Sequence, residues 1–158
     1  MKFSFHSGEL NDLTVDLLAV SAFEDKAGEV KEIDLIDRAL DGQLMALLDD
    51  EDFKGKDDQT ALLHTHGRVS AKRVLVIGLG KREDFDVPDT RRLGAALIAA
   101  AGKARAKRIG VVLPPVDPSA TENASQFLAE GVLLGAYRFD RYLSEDKRQP
   151  LLVEDVLL

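Results

Sequence analysis

His64 and His66 stand two residues apart in the run Ala61-Leu62-Leu63-His64-Thr65-His66-Gly67. On a strand that spacing points both imidazoles to one face, where they could share a metal ion. A protein zinc site needs a third ligand at least, and His6, the remaining histidine, has no spacing that ties it to the pair. The expectation is two polar residues on the outer face of a strand, with no metal held.

Ile77-Gly78-Leu79-Gly80-Lys81 lies where an apolar run ends, the place where α/β sheets carry ligand loops. A phosphate loop of the Walker type needs four residues between its first glycine and Gly-Lys, then Ser or Thr; here the spacing fails and Arg82 follows. A dinucleotide fingerprint needs a third glycine three residues past the second, and that position holds Glu83, whose carboxylate would repel a pyrophosphate. Gly78 and Gly80 are therefore expected to serve a tight turn. Nucleophilic chemistry finds no footing either. None of the serines stands in a Gly-x-Ser-x-Gly elbow, and there is no cysteine to supply a thiolate. No catalytic, cofactor-binding or metal-binding residue is expected in the chain.

The elements that would position such groups alternate between strand and helix. Phe3 and Phe5 alternate with polar neighbours as in a half-buried first strand, and residues 15–20 read as a second, more buried one. A charged loop from Glu24 to Lys31 precedes Ile33, Ile36, Leu40, Leu44 and Leu47, whose three- and four-residue steps predict one amphipathic helix. It closes on the acidic run Asp49 to Asp52, which opposes the helix dipole and favours fraying. The third strand holds the histidines. Val74 to Ile77 and Ile109 to Leu113 are uninterrupted apolar runs, expected as central strands covered on both faces.

Between those two runs, Asp86-Val87-Pro88-Asp89 opens a helix with Leu93, Leu97, Ala100 and Ala104 as its buried stripe. Its many small residues, Gly94 to Ala96 and Ala99 to Gly102 among them, would let it lie close on a sheet, and Lys103, Arg105, Lys107 and Arg108 complement its C-terminal dipole. Ser119 and Glu122 match a capping box before a last helix that packs through Ala124, Phe127, Leu128, Gly131 and Gly135. Residues 137–142 leave that helix, and 151–158 form a closing strand. The pattern predicts an α/β, three-layer sandwich with a mixed, mostly parallel sheet between helices.

Length and charge narrow the class further. The 158 residues suit a single domain, and a hydrophobic fraction of 45% is enough to build a core. No run approaches the ~20 apolar residues of a membrane span, and the polar start of the chain is unlike a signal peptide. A soluble cytoplasmic domain is expected. The net charge of −7 disfavours nucleic acid, since an acidic surface repels phosphates. Residues 81–108 carry eight basic and four acidic side chains, read as a solvated helix face.

Three stretches in order carry a resemblance over essentially the whole chain. They are Asp16 to Val20, then Arg73 to Lys81 with its alanine- and arginine-rich helix, then Ala129-Glu130-Gly131 through Tyr142 ahead of the turn Ser144 to Arg148. Together they resemble the amino-terminal domain of the leucyl (cytosol) aminopeptidase family. The resemblance implies a macrodomain-like fold, with residues 1–158 forming a single non-catalytic amino-terminal domain. It implies a cytoplasmic parent, a homo-hexameric exopeptidase that releases N-terminal amino acids using two zinc or manganese ions. The residues that hold those metals would lie in a carboxy-terminal catalytic domain around a signature of the type Asn-Thr-Asp-Ala-Glu-Gly-Arg, which is absent here, so no such residue transfers to this chain. The alternative is a macrodomain-like module that binds ADP-ribose or another nucleotide at the strand ends near Gly78 and Gly80.

Overall fold

The computed structural model describes residues 1–137 and 152–158. Six strands form one sheet: β1 (Lys2–Ser4), β2 (Leu17–Ala22), β3 (Thr60–His64), β4 (Arg73–Gly78), β5 (Arg108–Val111) and β6 (Asp155–Leu157). Their order is β1-β6-β5-β2-β4-β3, and every neighbouring pair is parallel except β3 with β4. Four helices complete the fold: α1 (Lys31–Ala39), α2 (Gln43–Asp50), α3 (Thr90–Ala104) and α4 (Thr121–Ala136). The mixed, mostly parallel sheet between helices is the architecture expected from the sequence.

Alternation along the inner strands explains the three layers. In β2, Leu17 and Ala19 face one core while Leu18, Val20 and Ala22 face the other; in β4, Leu75 and Ile77 oppose Val74 and Val76. The first core is closed by Leu93, Leu97 and Ile98 of α3 and by Leu128 and Val132 of α4. The second is closed by Ile33 and Ile36 of α1, Leu40 beyond it, and Leu44 and Leu48 of α2. β2, β4 and β5 are therefore buried on both faces, which is why their sequences read as continuous apolar runs. Val74 to Ile77 and residues 109–111 lie inside the sheet as expected; Leu113 lies past the end of β5 and is half-buried.

Several local expectations need correction. The helix predicted from Ile33 to Leu47 is two helices, because Asp41 and Gly42 adopt φ of +53° and +81° and turn the chain. The turn shifts the stripe, so that Leu48 is buried and Leu47 only half-buried. In α3 the buried line runs through Leu93, Leu97 and Ala101 with Gly94 and Ile98, leaving Ala100 and Ala104 half-buried. Its small residues face α4 as well as the sheet. A Cβ on Gly94 would come within 2.4 Å of the Leu128 carbonyl oxygen, and one on Gly131 within 2.1 Å of that of Arg91. α3 and α4 thus touch backbone to backbone.

The cap of the last helix also differs from the expectation. Asp117, rather than Ser119, caps the approach, its carboxylate accepting from the Ser119 N–H at 2.9 Å, and a short 3-10 turn at Pro118–Ala120 leads into α4. At the far end of α3, Arg105 takes φ +52° and the Arg73 guanidinium donates to the Ala104 carbonyl at 3.1 Å. β4 thereby caps the helix that follows it. β1 stops at Ser4, and Phe5 is exposed. Tyr137 leaves α4, while the rest of the expected exit, the turn from Ser144 to Arg148 and Leu151 lie outside the described residues.

Candidate functional site

The carboxyl ends of β2, β4 and β5 are where a sheet of this kind offers ligand loops. β4 ends at Gly78, and the chain turns through Leu79 and Gly80. The chain's own segment 53–58 covers that turn. The Gly80 N–H donates to the Gly55 carbonyl at 2.9 Å, and the Glu24 N–H donates to the Gly80 carbonyl at 2.9 Å. A Cβ on Gly78 would lie 2.1 Å from the Lys56 carbonyl oxygen, and one on Gly80 would lie 2.9 Å from the Asp57 carboxyl carbon. With φ of +74°, Gly80 also sits in the left-handed region that glycine enters at no steric cost. These glycines admit a crossing strand of backbone. The sequence placed Glu83 against the loop; Glu83 is exposed in the 3-10 turn Arg82–Asp84, and Asp57, paired with Arg92 at 3.2 Å, is the carboxylate beside Gly80.

Next to this turn an open cleft of ≈ 490 Å³ is lined by Phe23, Lys26, Lys31, Arg82, Leu113 and Pro115 among others. The Arg82 guanidinium lies 4.9 Å over the Phe23 ring, and Phe23 meets Phe85 edge to face at 5.2 Å. Lys26 pairs with Glu29 at 2.6 Å, and Glu29 and Glu32 line the same cleft. Its cations thus face carboxylates and an aromatic ring, so the cleft does not present a uniformly positive surface to an anion.

The histidine pair divides across a structural boundary. β3 stops at His64, and His66 sits in the following turn at φ +51°, so strand alternation does not align them. Their rings are 6.2 Å apart and both residues are exposed. Among the described residues no group of three or more His, Cys, Asp or Glu side chains could hold a metal ion.

Two polar clusters do structural work that sequence reasoning missed. Asp16, just before β2, accepts hydrogen bonds from the N–H groups of Lys107 and Arg108 at 2.9 and 3.0 Å and from Lys72 Nζ at 2.6 Å. Burial pushes its carboxyl up, but those three donors outweigh it and hold the pKa at about 2. Asp16 therefore fastens the starts of β2, β5 and the loop before β4. The signal was a lone acid directly ahead of an apolar strand. On the helix side, Glu130 accepts from Gln126 at 3.0 Å and from Arg91 at 2.7 Å, and these bonds, Gln126 first, hold its carboxyl below the usual range. Arg91 lies 4.2 Å over the Phe127 ring. Glu130 and Gly131 thus join α4 to α3.

A sequence profile described as the N-terminal domain of the cytosol aminopeptidase family matches residues 10–146. A probable cytosol aminopeptidase of Alkaliphilus metalliredigens is 34% identical over 154 residues, covering 94% of this chain and 30% of its own length. The structure of a point mutant of tomato leucine aminopeptidase superposes on the chain with a TM-score of 0.84 at 27% identity, covering 100% of this chain and 32% of its own. The macrodomain of Thermus aquaticus DarG superposes with a TM-score of 0.65 at 11% identity, covering 99% of this chain and 97% of its own. That last likeness is one of fold alone.

Proposed function

Because the chain belongs to the cytosol aminopeptidase family, whose N-terminal domain it represents, we propose that it is the accessory domain of a metallo-aminopeptidase and does no chemistry alone. The observation that carries this reading is one of coverage: the match takes in 94% of the chain but only 30% of the Alkaliphilus relative. The chemistry would belong to a carboxy-terminal domain of the same polypeptide. There two divalent ions, zinc or manganese, would activate water for release of N-terminal residues in the cytoplasm. The parent would assemble as a homo-hexamer, with this domain packing against its catalytic partner and shaping access to the active site.

The nucleotide-binding alternative draws no support beyond shared fold, because segment 53–58 and Asp57 take the space over the Gly78–Gly80 turn. The accessory role is tested by fusing the chain to the catalytic portion of the Alkaliphilus relative, in place of that relative's own first domain. The fusion should fold and release leucine from leucyl peptides when zinc or manganese is added. A fusion that folds and binds metal but stays inactive, where the relative is active, would count against the role.

A further inference from the structure

β3 pairs only with β4 among the described residues, so one side of this strand is an open sheet edge. The Thr65 N–H donates to the Lys72 carbonyl at 3.1 Å and the Gly78 N–H to the Gln59 carbonyl at 2.9 Å, which sets the alternation along the strand. Ala61 and Leu63 turn their main-chain groups toward β4, while Thr60, Leu62 and His64 turn theirs outward. Proteins usually blunt such an edge with proline, lysine or a bulge. Thr60-Ala61-Leu62-Leu63-His64 has no proline or lysine, its register with β4 is unbroken, and Leu62 at its midpoint is 40% exposed.

An open groove of ≈ 620 Å³ runs beside this edge, between β3 and α3, floored by Leu62, Leu75 and the alanines of α3. Its ends differ in charge. Asp58 stands at the end where β3 begins, and Arg73, Lys103 and Arg105 stand at the other. A parallel neighbour of the same sequence would set like charge against like; an antiparallel one sets each end against its opposite.

We propose that this edge docks a second copy of the chain, the two β3 strands pairing antiparallel about a two-fold axis at Leu62. Two six-stranded sheets would then join into one. Leu62 meets Leu62 of the second copy and Thr60 meets its His64, while Asp58, in the turn ahead of β3, comes toward the basic end that holds its Arg73, Lys103 and Arg105. The outward N–H and C=O groups of Thr60, Leu62 and His64 all find partners, as an isologous interface requires. This surface is inferred independently of the accessory role. A five-residue edge is small beside the ~1,200–2,000 Å² of stable interfaces, so the dimer is weak and concentration-dependent.

Sedimentation velocity on the chain from ~10 µM to ~1 mM should show the mass rising from 17.3 kDa toward twice that value. Leu62→Pro takes away the half-exposed Leu62 side chain and an N–H that points away from β4, leaving the β3–β4 hydrogen bonds in place, so it should abolish the rise while leaving the melting temperature close to that of the parent chain. Asp58→Lys or Lys103→Glu should each weaken dimerisation several-fold, and the two together should recover it, a rescue that only the antiparallel arrangement explains. A chain that stays monomeric throughout, or a dimer indifferent to Leu62→Pro and to both charge changes, would overturn the proposal.

Discussion

Asp16 shows how much one carboxylate can hold. Its folded pKa of about 2 lies below the ordinary 3.8, so the charged form is the one the fold stabilises. The contribution is full above about pH 4 and is lost as pH falls toward 2. With Lys72 itself largely exposed, about 1–2 kcal/mol is a fair magnitude at neutral pH. Asp16→Asn should lower the free energy of urea unfolding at pH 7 by that amount and flatten the acid limb of stability between pH 4 and 2. Equal slopes for both proteins over that window would mean that the three hydrogen bonds contribute nothing net. The residue was visible in the sequence as the start of a stretch that carries the family resemblance, but its partners at Lys72, Lys107 and Arg108 are distant in the chain, and no periodicity announces them. The histidines failed the other way: their spacing was legible, yet the strand stops at His64 and a left-handed residue re-aims His66.

At the scale of elements, what could be read was whatever repeats. Apolar runs gave β4 and β5 because both faces of those strands are buried, and the stripes gave α1 and α3. What could not be read was the Asp41-Gly42 break, since the apolar steps carry across it in sequence while the backbone turns. The glycines of α3 and α4 were legible as smallness but not as a contact between helices. Gly131→Ala tests that contact: its Cβ would fall 2.1 Å from the Arg91 carbonyl oxygen, so the helices must part. A loss of about 2–3 kcal/mol in urea unfolding is expected, the upper range for overpacking. Gly42→Ala, with nothing within 4 Å of its Cβ but φ at +81°, should cost only the backbone strain, about 1 kcal/mol. A Gly131→Ala protein as stable as the parent would show that α3 and α4 slide apart freely.

Across the whole molecule, the fold and the function diverge. A macrodomain superposes over nearly the full chain, yet the turn at Gly78–Gly80 is packed by residues 53–58 and faced by Asp57. A ligand that binds the folded state at about 100 times its dissociation constant adds roughly 2.7 kcal/mol, several degrees for a domain of this size. ADP-ribose and ATP should therefore leave the melting temperature unmoved. A reproducible rise abolished by Gly80→Val would revive the nucleotide reading. A rise with zinc or manganese abolished by His66→Ala would likewise restore the metal site.

An accessory domain of this kind should do no chemistry by itself. Its most direct test is release of the chromophore from leucyl 4-nitroanilide by the purified chain, with and without zinc or manganese. The expected rate is indistinguishable from buffer at every protein concentration. Turnover that grows in proportion to the chain and persists through a second purification would contradict it.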